Sequence, residues 1–268
     1  MTIRLVALDL DHTLLNNKRE ISREDLEAIN RARAQGVVFT IATGRMFAAT
    51  KTFGEKLNID VPIITYQGSL IKRLISEEEI RHLRIPNEIA KQGIRLAKDN
   101  DVFVNVYNGD DLYVFYENDL IKRYREVNGV HAIVDEDLCD KLNFNPTKIV
   151  FVEDDLGKLD GFQKIIETEF SNLYDITRSL PHLLELGHID ATKSNALSYI
   201  ANILNIKQSE TMAIGDGLND IDMLHWANVG VAMGNALDAV KKSADWVTDD
   251  NNSSGVAKAI EKFILKAQ

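Results

Sequence analysis

The sequence predicts an α/β fold, a doubly wound, Rossmann-like parallel sheet core interrupted by an inserted α+β domain. Three observations lead to it. The first 66 residues alternate short apolar runs with amphipathic helical segments, the same alternation resumes after Thr192, and the stretch between Pro86 and Leu186 follows a different pattern. Strand–helix–strand order implies right-handed crossovers and parallel pairing.

Taken in order, Ile3–Leu10 is a mostly apolar run that ends in acid, as suits a buried parallel strand. Ser22, three residues before Asp25, starts a helix in the manner of a capping box, Leu26 and Ile29 supply its apolar face, and Gly36 is a natural stop. Val37–Ala42 is a second buried strand, followed by the polar turn Thr43-Gly44-Arg45, a helix over Phe47–Leu57 and a third strand over Pro62–Tyr66. Ser69–Leu74 and Ile80–Ile85 read as a hairpin around the acidic turn Glu77–Glu79.

Pro86 marks a border. Beyond it the pattern gives a helix (Asn87–Lys98), strands (Val102–Tyr107 and Leu112–Tyr116), a helix (Asp119–Val127), a strand (Lys148–Val152), a helix (Leu156–Phe170) and strands near Tyr174 and Leu184. After Thr192 come a helix over Lys193–Leu204, a strand over Thr211–Ile214, a helix over Ile221–Ala227 and a strand over Val229–Ala232. A short strand at Trp246 and Val247 and a helix over Val256–Leu265 complete the pattern. Residues 1–85 and 187–268 are thus expected to form one discontinuous α/β core, and 86–186 the insert.

The composition narrows the function. Of 268 residues, 45% are hydrophobic and 27% charged, the mix of a globular protein with a sizeable core. With 31 Lys and Arg against 41 Asp and Glu, the net charge is −10, which disfavours nucleic acid as a partner. The single cysteine, Cys139, rules out an internal disulfide and points to a reducing cytoplasm. No secretory signal is visible, and no apolar run approaches the roughly 18–20 residues of a membrane span, so no membrane association is expected. The chain is expected to be a monomer or weak homodimer.

Three core strands end in polar clusters: Asp9-Leu10-Asp11-His12-Thr13, Thr43-Gly44-Arg45 and Gly215-Asp216-Gly217-Leu218-Asn219-Asp220. In an open parallel sheet, ligands bind outside the carboxyl ends of the strands, so these clusters are expected to meet. Asp9 and Asp11 stand two apart at a strand end; Asp216 and Asp220 stand four apart across a turn that opens a helix. Four carboxylates brought together repel unless a cation lies among them, and all-oxygen donors favour a hard ion, Mg²⁺. Either pair alone is equally well explained as turn or cap residues; both pairs, each after an apolar strand, are not. Thr43 offers a hydroxyl or an N-cap, and Gly44 lets the backbone approach a ligand closely. Lys193 opens a helix, an unfavourable place for a cation unless an anion sits nearby. A carboxylate nucleophile with a cation, a hydroxyl and Mg²⁺ around it suits phosphoryl transfer.

These residues carry a resemblance. DLDHTLL, ATGR, Lys193 and GDGLND resemble the four motifs of haloacid dehalogenase-like phosphatases, and their order and spacing resemble the Cof-type subfamily with its large inserted α+β cap; VGVAMGNA (Val229–Ala236) is similar to that subfamily too. The resemblance implies Mg²⁺-dependent hydrolysis of a small phosphorylated metabolite, with sugar phosphates foremost. It makes Asp9 nucleophile and metal ligand, and Asp11 general acid/base, its backbone carbonyl on the metal. It further implies that Thr43 and Lys193 bind the phosphoryl group with the Gly44 backbone close by, that Asn219 lines the pocket, that Asp216 ligates Mg²⁺ and that Asp220 supports the metal site through water or Lys193. The cap is expected to select the substrate. Phosphomutase and non-catalytic sensor are the alternatives the same motifs allow.

Departures from the family pattern are His12 in place of Gly, Gln67-Gly68 in place of Asn-Gly, and Ser194 after Lys193. His12 reads as a bulky loop residue, while Asn105, Tyr107 and Glu185 are polar cap residues read as structural before specific. Tyr113 and Phe115 read as packing, and Lys122, Arg123 and Arg125 as a solvated helix face. His131, His182, His188 and His225 lack metal-ligand spacing.

Overall fold

The computed structural model describes residues 2–118, 121–122, 131–171 and 173–265. The strands, in chain order, are β1 (Leu5–Leu8), β2 (Val38–Ile41), β3 (Ile63–Thr65), β4 (Leu70–Lys72), β5 (Glu79–His82), β6 (Phe103–Asn108) and β7 (Asp111–Val114). They continue with β8 (His131–Val134), β9 (Lys148–Val152), β10 (Tyr174–Leu180), β11 (Leu183–His188), β12 (Thr211–Gly215), β13 (Val229–Ala232) and β14 (Trp246–Val247). Two compact units emerge. One comprises Met1–Arg45, Thr50–Ile80 and Thr192–Gln268; the other comprises Met46–Ala49 and Arg81–Ala191.

The first unit is built on a parallel sheet of order β14-β13-β12-β1-β2. All four residues of β1 are fully buried, which explains why the run Leu-Val-Ala-Leu shows no alternation: both faces of the strand are covered. The chain winds from β1 to β2 on one side, then returns to β12, β13 and β14 on the other, so the strand order reverses between β1 and β12. Leu8 pairs with Ile214, so Asp9 leaves β1 beside Gly215, the last residue of β12. This switch point is where the sheet opens a crevice for ligand. A smaller sheet of order β3-β4-β5 follows, with β3 and β4 antiparallel.

The helices begin where the side chains predict. Ser22 accepts a hydrogen bond from the Asp25 amide and caps Arg23–Ala34, which ends before Gly36 at φ 87°. Thr192 accepts from the Asn195 amide and caps Lys193–Ile203. That helix buries Ala196, Leu197, Ile200 and Ala201, the one-sided spacing that packs it on the sheet.

In the second unit the sheet order is β10-β11-β9-β6-β7-β8, antiparallel except where β7 pairs with β8. Val104, Val106, Ile149, Phe151, Leu184 and Leu186 join one apolar core with residues of the helices Asn87–Asp99 and Leu156–Phe170. Tyr113 and Phe115 pack against it, Tyr113 with its ring 4.8 Å from that of Phe144.

Several elements differ from expectation. The strand β8 and the helices Leu138–Lys141 and Asp238–Ser243 carry no periodic signal strong enough to announce them; each is four to six residues long. The last helix is α-helical only over Gly255–Ile260 and then widens to a π turn over Glu261–Leu265. The expected helix Asp119–Val127, with Arg123 and Arg125, falls outside the described residues except at 121–122.

Candidate active site

The site sits at the carboxyl ends of β1, β2 and β12. Asp9 follows β1 directly, its amide donating to the Ile214 carbonyl at 3.0 Å, and its side chain is buried. Asp216 follows β12. Asp220 stands at the end of the short turn Leu218–Asp220, its Oδ2 accepting from the amides of Asp216 (2.9 Å) and Gly217 (2.8 Å). Carboxylate oxygens of Asp9, Asp216 and Asp220 all lie within 4.8 Å of one another.

Lys193 balances part of this charge. Its Nζ donates to Asp9 Oδ1 at 2.6 Å and to Asp220 Oδ1 at 2.5 Å, and its side chain is 1% exposed. Burial by itself pulls the ammonium down, but Asp220 and Asp9 together outweigh that and hold it above its ordinary value. Burial, then the neighbouring Asp220, push the Asp9 carboxyl up to about 8, against the pull of Lys193. Burial and Asp220 also raise Asp216, while a hydrogen bond from Thr13 Oγ1 (2.7 Å) opposes the rise.

The charge balance defines what fits here. Three carboxylates and one ammonium leave two negative charges in a largely buried place. Proton uptake by Asp9 relieves one; a divalent cation relieves both. The donors are all oxygen, which suits a hard divalent cation. Asp220 has both oxygens engaged, by Lys193 and by two backbone amides, so it is placed to hold the cluster together. Among the described residues, nothing hydrogen-bonds the second carboxylate oxygen of Asp9 or of Asp216.

Asp11 stands apart from this cluster. Its carboxylate is gripped by Arg45, with Nε on Oδ2 at 2.7 Å and Nη2 on Oδ1 at 2.5 Å, and it is 45% exposed. The Arg45 guanidinium also lies 5.3 Å from the centre of the Phe53 ring. Thr43 is buried at the end of β2; its hydroxyl accepts from the Arg45 amide at 3.2 Å and keeps its own hydrogen to donate. Asn219 is exposed, and its Nδ2 donates to Gln67 Oε1 at 3.0 Å. His12 is exposed at φ 60°, its backbone carbonyl accepting from Asn235 Nδ2 at 2.8 Å.

Four contributors have no role assigned by sequence alone: Thr13, Arg45, Gln67 and Asp222. Thr13 and Arg45 lie inside the motif runs, so their position was the available signal. Asp222 accepts from the Ser194 amide at 3.0 Å, binding the first turn of the Lys193 helix, a link 28 residues long with no local pattern.

In the second unit, Lys148 Nζ donates to Glu185 at 2.8 Å and lies 5.8 Å from the Tyr107 ring centre. Asn105 is buried on β6, and its Oδ1 has no hydrogen-bond partner among the described residues.

A buried ammonium–carboxylate cluster with a hydroxyl beside it stands at the switch point of the parallel sheet, where a ligand would lie. The chain belongs to the haloacid dehalogenase-like hydrolases, whose family model matches residues 6–260. It is 34% identical to a 5-amino-6-(5-phospho-D-ribitylamino)uracil phosphatase of Bacillus subtilis, covering 98% of this chain and 96% of that protein. Among solved structures, a haloacid dehalogenase-like hydrolase from Bacteroides thetaiotaomicron superposes with a TM-score of 0.89 at 30% identity, covering 97% and 99% of the two chains. A subclass IIB sugar phosphatase superposes with a TM-score of 0.81 at 27% identity, covering 97% and 98%. The protein is a phosphatase of this family. Among the described residues, no helix is long and apolar enough to cross a membrane.

Proposed function

We propose that the chain hydrolyses small phosphate monoesters, sugar phosphates foremost, through an aspartyl-phosphate on Asp9. The observation that carries this reading is Lys193, buried between Asp9 and Asp220. Its ammonium holds Asp9 Oδ1 and leaves Oδ2 as the attacking atom.

Asp9 Oδ2 attacks phosphorus, the ester P–O bond breaks, and the leaving oxygen takes a proton from Asp11, which carries that proton on an oxygen released from Arg45. Asp11, now a carboxylate, takes a proton from water as that water attacks the phosphoryl group. The bond between Asp9 and phosphorus breaks, phosphate leaves, and Asp11 is protonated for the next turnover. The Thr43 hydroxyl, the Gly44 backbone amide, Lys193 and Asn219 donate to the phosphoryl oxygens. Asp9, Asp216 and the Asp11 carbonyl would hold Mg²⁺, with Asp220 supporting them through Lys193. When bound, the ion neutralises charge on the transferring group.

Residues 1–85 and 187–268 act as the catalytic domain, and residues 86–186 as the cap that discriminates between esters. Sugar phosphates come first because a structural neighbour is named a sugar phosphatase and a relative is named for a phosphoribityl substrate; flavin phosphates stay on the panel, as do pyridoxal phosphates, for which a relative of equal coverage is named. The cytoplasm is the proposed setting, in keeping with the free, buried Cys139.

The test is phosphate release from a panel of phosphate esters, with Mg²⁺ and with EDTA, for the wild type and Asp9→Ala. Metal-dependent release that disappears in a folded Asp9→Ala variant is expected; near-normal release by the variant would overturn the reading. Isomer conversion without stoichiometric phosphate would instead identify a mutase.

A further inference from the structure

We propose that the turn Tyr66-Gln67-Gly68 is a strained brace that sets the phosphate-binding loops, and that Gln67 is its positioning residue. The inference rests on the phosphatase reading above and extends it to a turn outside the four motifs, where this chain has Gln67-Gly68 in place of the family's Asn-Gly.

Three successive residues here have positive φ: Tyr66 at 51°, Gln67 at 58° and Gly68 at 111°. Left-handed backbone is easy for glycine and tolerated by asparagine, and it is costly for tyrosine and glutamine. Such conformations persist only where the surroundings over-determine them. The surroundings here are three loops of the site.

The Tyr66 amide donates to the Arg45 carbonyl at 2.9 Å, and the Gln67 amide to the Thr43 carbonyl at 3.0 Å. The turn therefore holds both ends of Thr43-Gly44-Arg45. The Gln67 side chain lies against Gly44 so closely that a Cβ there would sit 3.0 Å from Gln67 Cδ. Its Oε1 accepts from Asn219 Nδ2 at 3.0 Å, a bond spanning 152 residues. Gly68 presses on Thr192, where a Cβ would strike the carbonyl of the residue that caps the Lys193 helix.

One turn thus contacts the loops bearing Thr43 and Gly44, Lys193, and Asn219. Glutamine explains why the strain is retained. Asparagine would adopt φ 58° more readily, but it is one methylene shorter and would fall short of Asn219. With Oε1 committed to Asn219, the amide is held across Gly44 and fixes both loops together.

Two variants test this, Gln67→Gly and Gln67→Asn. Both relieve the backbone, so both should fold with thermal midpoints at or above that of the wild type. Gln67→Gly loses the side-chain tie altogether. Its KM for a substrate ester and its Kd for inorganic phosphate, measured by calorimetry in MgCl₂, are expected to rise together by about tenfold, with kcat little changed, the signature of lost uniform binding. Gln67→Asn should show the same split to a smaller degree.

Wild-type KM and phosphate affinity in a folded Gln67→Gly protein would overturn the inference while leaving the phosphatase reading intact. A fall in thermal midpoint with loss of kcat alone would also overturn it, since the residue would then be merely structural. A wild type that neither cleaves esters nor binds phosphate would overturn the reading of the site and this inference with it.

Discussion

Lys193 Nζ lies 2.6 Å from Asp9 and 2.5 Å from Asp220, in a place where its side chain is 1% exposed. The two carboxylates belong to motifs more than 200 residues apart, so this one ammonium ties two distant segments of the chain together. A paired charge of this kind is costly to break from one side. Replacing Lys193 by Ala leaves buried carboxylates unpaired, a change that costs about 3–5 kcal/mol. The expected outcome is a lowered thermal midpoint, lowered more in EDTA than in Mg²⁺, together with loss of phosphate release. Melting curves of Lys193→Ala in both buffers check it; equal midpoints with the wild type would contradict it.

The same cluster makes stability depend on pH. Burial and Asp220 raise the Asp9 carboxyl from 3.8 to about 8. Between those values the folded protein holds a proton that the unfolded chain releases, so this group's contribution is full below the unfolded value and is lost as pH rises through the folded one. In EDTA the thermal midpoint of the wild type should therefore fall from pH 5 towards pH 8 more steeply than that of Asp9→Asn, which cannot titrate there. Parallel profiles for the two proteins would count against the assignment.

Metal removal should act in the same direction. A cation bound to the folded state alone stabilises it by mass action, about 2.7 kcal/mol at a hundredfold excess over Kd. Adding MgCl₂ at pH 8 is expected to raise the midpoint of the wild type and to do so less in Asp216→Asn. Differential scanning fluorimetry with EDTA as the reference reads this, and an equal rise in both proteins would remove Asp216 from the metal site.

Arg45 grips Asp11 with two hydrogen bonds while lying against Phe53. Because Asp11 is 45% exposed, the ion pair adds little to stability, about 1 kcal/mol at most. Its fork fixes where the Asp11 carboxyl points, and lysine cannot reproduce that geometry. Arg45→Lys should keep a midpoint close to the wild type while kcat falls about tenfold, an increase of roughly 1.4 kcal/mol in barrier. Steady-state kinetics beside a melting curve separate the two effects.

Much of the fold is legible in local patterns. The unbroken apolar run of β1, the Ser22 cap with its Asp25 amide, and the helix Leu156–Phe170 each follow from residues within a few positions of one another. The ends of three core strands announce themselves in the same way, because an apolar strand that stops at Asp or Thr-Gly must put a polar group at the sheet edge. Short elements such as β8 and the helix Asp238–Ser243 do not, since four to six residues hold too little periodicity and their form depends on what they pack against.

By itself, then, the sequence determined the α/β class, the motif loops and the kinds of atoms available for phosphoryl transfer, all of which depend on residue type and near-neighbour spacing. Tertiary structure decided the pairings. It parted Asp11 from the carboxylate cluster and gave it to Arg45, 34 residues away; it placed Lys193 between Asp9 and Asp220; and it joined Gln67 to Asn219 through a turn held at positive φ. Those partnerships are set by which strand ends the sheet brings side by side, and by the cost of burying a charge without an opposite one in reach.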